Sequence, residues 1–246
     1  MYLFTKENIH QIEHEAWKKD AMNKFHERMM DKEQLFPCIP ATMGYKLNRF
    51  YFGFVSNPQQ PQASKRLAHL LREYSNIYKS IGTYTSLIIF YEPSPICSVD
   101  LSVEDYEQLF WEQLNQISEM DEMEWPSHIP TDPNSTMWEF CFHGEQYFMY
   151  CATPSHINRN SRYFPYFMLA ITPRWVLEKF TASPQHAEKV KTKIRERLSD
   201  YDSISIHPDL NTYGNNDNYE WKQYFLRDDK TTISQCPFHK KNREQE

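Results

Sequence analysis

Apolar side chains recur along the 246-residue chain in blocks whose spacing switches between helical and strand-like periods, and the switches predict its elements. In residues 7–30, Ile9, Ile12, Ala16, Phe25 and Met29 fall at helical spacing with charge between them, which predicts one amphipathic helix. Residues 35–45 carry Pro37 and Pro40, each lacking an N–H and disfavouring helical geometry in the residue before it, so an ordered connector without helix is expected. Residues 45–55 alternate and are rich in aromatics, the pattern of a strand. A second helix is expected over 63–81, with Gly82 as its C-cap.

The continuous apolar run 85–91 reads as a central strand buried on both faces. Over 100–120, Ser102 with Asp105 three residues later predicts an N-cap and acidic first turn, and Tyr106, Leu109, Phe110, Leu114 and Ile117 follow one helical face. Residues 137–152 form two strand-like halves around His143-Gly144-Glu145-Gln146, a hairpin signal. A strand over 166–173 and a solvated helix over 184–202 follow, and the remainder reads as irregular despite Trp221, Tyr224 and Phe225. This order suits an α+β fold: a single domain, 1–246, with a mostly antiparallel sheet covered by helices.

Composition narrows the function classes. A net charge of −6, with Lys and Arg scattered among acids, argues against a nucleic-acid binder. The longest apolar stretch, Ser86 to Tyr91, falls far short of the ~20 residues of a membrane span, so no membrane crossing is expected. The first twenty residues lack a charged start followed by an apolar segment, which predicts a cytoplasmic protein without a secretory signal. Cys38, Cys97, Cys141, Cys151 and Cys236 are odd in number and dispersed, as free thiols are, and no CxxC pair is present to hold zinc. The five glycines are too far apart for GxGxxG, a P-loop or a GxSxG elbow, which removes the standard nucleotide and serine-hydrolase motifs.

Four groups of residues remain as candidate chemistry. His10 and His14 share a helix face at i, i+4, but with no glutamate in HExxH order and no third ligand they read as a solvated face. The stretch SHINRNSR, 155–162, places His156, Arg159 and Arg162 at three-residue intervals in a loop between strands. They either converge on a ligand, imidazole to a metal and guanidinium forks to carboxylates or phosphates, or form a surface loop paired with acidic helices. Cys38, after Phe36-Pro37, is either a thiolate ligand or nucleophile, or a small buried hydrophobe. The terminal Cys236-Pro237-Phe238-His239 pairs a soft ligand with an imidazole, which suits iron or heme better than tetrahedral zinc. The reading favoured for it is a packed anchor in which Phe238 pins the tail and closes one side of a ligand pocket.

Taken in order, FPC near the front, RFYFGFV, PSHINRNSR, the DLNTYG and WKQYFLRDD segment, and the closing CPFH resemble the YqcI/YcgG family over nearly the whole chain. The resemblance implies a heme-dependent N-hydroxylase acting on guanidine-type or amine nitrogens of a small molecule, with heme b, dioxygen and an electron donor that it does not specify. It further implies His156, Arg159, Arg162 and Cys38 as cofactor-binding residues. His156 would be the iron ligand, with His239 and Cys236 as alternatives. Asp228 or Asp229 would hold a cationic guanidinium. The pattern departs from the hydroxylating relatives at one position: where a histidine precedes the loop's proline, this chain has Thr153. If that histidine holds iron in the relatives, this chain either uses His156 or performs different chemistry. The other reading is a non-catalytic heme or small-ligand binding protein.

Overall fold

The sheet is built around aromatic and β-branched runs that leave no room for a helical period. The computed structural model describes residues 2–12, 15–94, 100–181, 183–212 and 215–239, so His14 and Cys97 lie outside the described residues and the His10–His14 pair with them. The strands are β1 (Phe50–Val55), β2 (Ser86–Tyr91), β3 (Phe140–Phe142), β4 (Glu145–Ala152) and β5 (Met168–Pro173), in the order β1-β2-β5-β4-β3. The β1–β2 pair is parallel and the pairings of β2 with β5, β5 with β4 and β4 with β3 are antiparallel, so the sheet is mostly antiparallel, as expected for this α+β chain. The parallel pair requires a crossover, and the helices α3 (Gln62–Ser75) and α4 (Tyr78–Ile81) provide it.

Alternation along the strands separates two apolar layers. Val55, Leu87, Ile89, Met149, Leu169 and Ile171 face α3 and the helix α5 (Val103–Glu119). On the opposite face, Phe50, Phe52, Phe54, Ile88, Phe90 and Met168 meet Met22, Phe25 and Met29 of α1 (Ala16–Met30). The capping box of α5 is present as the sequence predicts: Ser102 Oγ accepts from the Asp105 N–H at 3.1 Å, and the Ser102 N–H donates to Asp105 Oδ2 at 2.8 Å. The β3–β4 hairpin turns on His143 and Gly144, both at positive φ (53° and 74°), the backbone of a two-residue primed turn.

Several expectations need correction. The helix read over 7–30 is a 3-10 turn, Ile9–Ile12, and a separate α1, because Glu15 is extended (φ −106°, ψ 100°). The connector over 35–45 does contain helix, α2 (Ile39–Lys46). Pro40 sits in its first turn, where a missing N–H costs nothing. The strand read from residue 45 therefore starts only at Phe50, after a left-handed Asn48 (φ 55°). Gly44 lets α2 settle onto the sheet edge: a Cβ there would lie 2.1 Å from the Tyr84 carbonyl oxygen. The second helix divides at Asn76–Ile77 into α3 and α4, with Gly82 beyond it at φ 98°.

β5 runs straight into α6 (Arg174–Thr181), which precedes α7 (Pro184–Tyr201), and the segment read as irregular holds α8 (Trp221–Tyr224). No helix among the described residues is long and apolar enough to cross a membrane.

Candidate functional site

The loop between β4 and β5 is closed at its base by Thr153 and Tyr163: the Thr153 N–H donates to the Arg162 carbonyl and the Phe164 N–H to the Thr153 carbonyl, each at 3.0 Å. Between them His156, Arg159 and Arg162 are all buried, at 3%, 1% and 4% exposure. The three side chains do converge, as their spacing predicts, and what they meet is the backbone of residues 223–229. Arg162 donates through Nη1 to the Tyr224 carbonyl and through Nη2 to the Gln223 carbonyl, both at 2.9 Å. Arg159 donates through Nε to the Arg227 carbonyl (3.0 Å) and through Nη2 to the Asp229 carbonyl (2.8 Å). It also sits 3.7 Å from Asp202.

Asp228 returns the contact by accepting the backbone N–H groups of Ile157, Asn158 and Arg159, at 2.8 to 3.1 Å. Asp229 accepts from the Thr231 N–H at 2.7 Å. Both carboxylates suggested for a substrate guanidinium are thus engaged within the chain. The loop and the 223–229 segment form a clasp in which the guanidinium forks of Arg159 and Arg162 satisfy backbone carbonyls of that segment.

His156 is held in one tautomer. Nε2 faces the Leu226 carbonyl at 2.8 Å and therefore carries the proton, and Nδ1 accepts from the Thr153 hydroxyl at 2.8 Å. Thr153 thus orients the neighbouring ring. Burial holds the His156 pKa down to about 4, with the Arg162 and Arg159 charges adding to it against the opposing pull of the Leu226 carbonyl and Asp228.

The ring titrates near 6.5 in the unfolded chain, so as pH falls the unfolded state takes up the proton first. The stabilisation from a neutral His156 is complete above pH 6.5 and lost between there and about 4. That loss amounts to roughly 3 kcal/mol. Denaturant unfolding of the parent and of His156→Gln at pH 7 and pH 4.5 should show the parent losing more stability than the variant; equal losses would place the ring in solvent.

On the face covered by α1 and α2 lies an apolar cavity of about 180 Å³. Its walls include Phe25, Phe36, Phe50, Phe148, Tyr84 and Tyr150, with the side chains of Cys38 and Arg28. Cys38 is half-buried, and burial pushes its thiol up against the opposing influence of the Ala41 backbone N–H and the Arg162 charge. Tyr150 joins the cavity to the clasp. Its ring carries the Arg162 guanidinium at 4.4 Å, its hydroxyl donates to the Ser161 carbonyl, and burial pushes its pKa up to about 12.

Of the residues singled out in the sequence, Cys38 lines the cavity, while Arg162 lies behind the wall formed by Tyr150. His156 and Arg159 belong to the clasp. The terminal segment packs on the other face of the sheet, where Phe238 meets Trp125, Trp138 and Phe140 at ring separations of 5.4 to 6.0 Å. Asn115 fastens it by donating to the Pro237 carbonyl (3.0 Å) and accepting the His239 N–H (2.8 Å). The anchor reading of this segment agrees with that packing, but the cavity it was expected to close lies on the opposite face. Cys236 is half-buried there, its thiol pushed up to about 12 by burial, and His239 is exposed.

Arg28 was missed by sequence reasoning. Its signal is an arginine three residues after Phe25 and next to Met29, on the apolar face of α1. Among the described residues no group of three or more His, Cys, Asp or Glu is placed to hold a metal ion.

The residues lining the cavity and the terminal anchor all fall within the span matched by the model of the YqcI/YcgG family, residues 25–239. The chain belongs to the YqcI/YcgG family. Within it, the chain is 44% identical to YqcI of Bacillus subtilis (strain 168) over 97% of its own length and 94% of the relative's. It is 42% identical to YcgG of the same organism over 96% and 94%. A more distant relative is the putative N(omega)-hydroxy-L-arginine synthase DcsA of Streptomyces lavendulae, 27% identical over 91% of this chain and 84% of that protein. No solved structure matches.

Proposed function

We propose that this YqcI/YcgG protein is an N-hydroxylating oxidoreductase acting on a guanidine or amine nitrogen of a small molecule. The observation that carries the reading is the relationship, along most of the chain, to a protein named as a putative N(omega)-hydroxy-L-arginine synthase. N-hydroxylation replaces N–H by N–OH: one oxygen atom of dioxygen enters the product, and the other leaves as water with two protons and two electrons from an external reductant. No side chain supplies that redox chemistry, so a cofactor is needed.

Heme b is the proposed group, and the cavity's donor set fits it. Aromatic walls suit a flat apolar macrocycle, the Cys38 sulfur would hold its iron, and the Arg28 guanidinium suits a propionate. When bound, heme would supply the activation of dioxygen. The chain's part is then to exclude water with Phe25, Phe36 and Phe148, to hold charge with Arg28, and to release the Cys38 proton. Burial keeps that proton on the sulfur in the free protein, so ligation would require its release. His156, the ligand suggested by the resemblance, has both ring nitrogens committed to Thr153 and Leu226.

A second reading, a heme or small-ligand binding protein without catalysis, is favoured by one observation: among the described residues no carboxylate lines the cavity to receive a cationic substrate. The test is the absorption spectrum of protein produced with a heme precursor, oxidised and then reduced under carbon monoxide, followed by assay for hydroxylated product. A Soret band retained in His156→Gln and shifted or lost in Cys38→Ala supports the assignment; a featureless parent spectrum removes the heme. A band without product selects the binding protein.

A further inference from the structure

We propose that Arg28 makes one end of the α1–α2 cavity a carboxylate-binding site for a ligand whose body is apolar. The proposal shares with the preceding reading only the assignment of this cavity as the ligand site, and it holds whether or not that ligand is heme.

Arg28, which is half-buried with one shielded nitrogen, differs from the buried arginines of the protein. Arg162 and Arg159 are saturated by carbonyls, and Arg174 lies between Glu139 and Glu220. The Nη1 atom of Arg28 is shielded from solvent and has no hydrogen-bond partner, and no carboxylate among the described residues lies within 4.0 Å of the group. Its remaining neighbours are aromatic: the guanidinium carbon stands 5.8 Å from the Phe36 ring centre and 5.3 Å from that of Phe164. Ring faces attract a cation but accept no hydrogen bond in its plane, so they leave the donor unsatisfied. A buried donor without an acceptor is costly, and a permanently charged guanidinium more so, unless something arrives to accept from it.

The other polar groups of the lining do not fill that role. Ser86 and Thr172 hydroxyls bond each other at 2.7 Å, and the Tyr150 hydroxyl is committed to Ser161. What the cavity offers a ligand is therefore an apolar surface with the planar Arg28 guanidinium at one end, beside the Cys38 thiol and the Tyr84 side chain. Carboxylate geometry matches such a fork, and the shielding of Nη1 strengthens the pair. Two sources carry this chemistry: a propionate of a porphyrin, and the carboxylate of a small apolar acid.

The experiment compares each acid with its neutral counterpart. Hemin and hemin dimethyl ester are titrated into the purified protein by absorbance, and decanoate and decanol by thermal shift, with the parent chain, Arg28→Gln and Arg28→Lys. We expect the parent to prefer the acid over the neutral form at least tenfold in one pair, Arg28→Gln to lose that preference, and Arg28→Lys to keep part of it. Removing a half-buried charge whose shielded Nη1 has no acceptor should also leave the thermal midpoint of ligand-free Arg28→Gln unchanged or raised, which separates loss of the site from loss of the fold.

Preference in the decanoate pair alone assigns the site to a small acid and removes heme from the cavity. Preference in the hemin pair assigns it to a propionate. Hemin binding with no preference for the acid in either pair, or a preference that survives in Arg28→Gln, overturns the Arg28 assignment while leaving the heme reading in place; absence of binding in both pairs overturns both.

Discussion

Arg162→Met is expected to lower the unfolding free energy by roughly 3–5 kcal/mol, the cost of breaking a buried charged network by removing one partner. Methionine fills much of the arginine stem's volume, so the loss reports on the hydrogen bonds. The Gln223 and Tyr224 carbonyls lose their donors, and the Tyr150 ring loses the cation above it. An unsatisfied buried acceptor costs about 1–3 kcal/mol, and two of them account for most of the predicted effect. The change also releases the wall that Tyr150 builds between clasp and cavity, so any ligand bound there should bind less tightly. Urea unfolding followed by tryptophan fluorescence measures the first quantity, and a loss below about 1 kcal/mol would mean that water satisfies these carbonyls and that the clasp is not closed.

Phe238→Ala is expected to cost about 3–5 kcal/mol, the range for deleting a buried phenylalanine. Its ring lies among Trp125, Trp138 and Phe140 at 4% exposure, and Phe140 is held in β3, so the space left by the ring cannot close without moving the strand. Cys236→Ala and His239→Ala, in the same four-residue motif, should each change stability by less than about 1 kcal/mol, because one is half-buried and the other exposed. This ordering separates an anchor from a ligand set. If Cys236→Ala or His239→Ala abolished binding of a heme taken up by the parent, and Phe238→Ala left folding intact, the segment would be a ligating motif after all.

What was legible in the sequence is what depends on near neighbours along the chain. The Ser102–Asp105 box acts over three residues and the His143-Gly144 turn over two, so composition at those positions is enough to predict the geometry. The run Ser86 to Tyr91, apolar at every position, predicts a strand covered on both faces, and all six residues are buried. Proline misled once: Pro40 reads as a helix breaker but stands in the first turn of α2. Pro173 closes β5 where the strand was expected to end, and the helix α6 that follows directly was not read from the sequence. α8 escaped notice because four residues carry no period; it exists because Trp221 and Tyr224 are drawn into the core, where the Tyr224 hydroxyl accepts from the Phe140 N–H and donates to the Tyr147 carbonyl.

By itself the sequence determined the α+β class, most strands and helices, the candidate loop and the family to which that loop belongs, because periodicity, caps and motifs are local properties of a chain. Tertiary structure alone decided where the candidates point. The arginines at 159 and 162 sit at the spacing of a ligand clamp, yet they bind carbonyls contributed some sixty to seventy residues later in the chain. Arg28 looks like one more charge on an amphipathic helix, yet it is left facing an apolar cavity. The reason in both cases is that a guanidinium is satisfied or orphaned by groups far away along the chain. Only the packing of α1, α2 and residues 223–229 against the sheet brings those groups within reach or keeps them out of it.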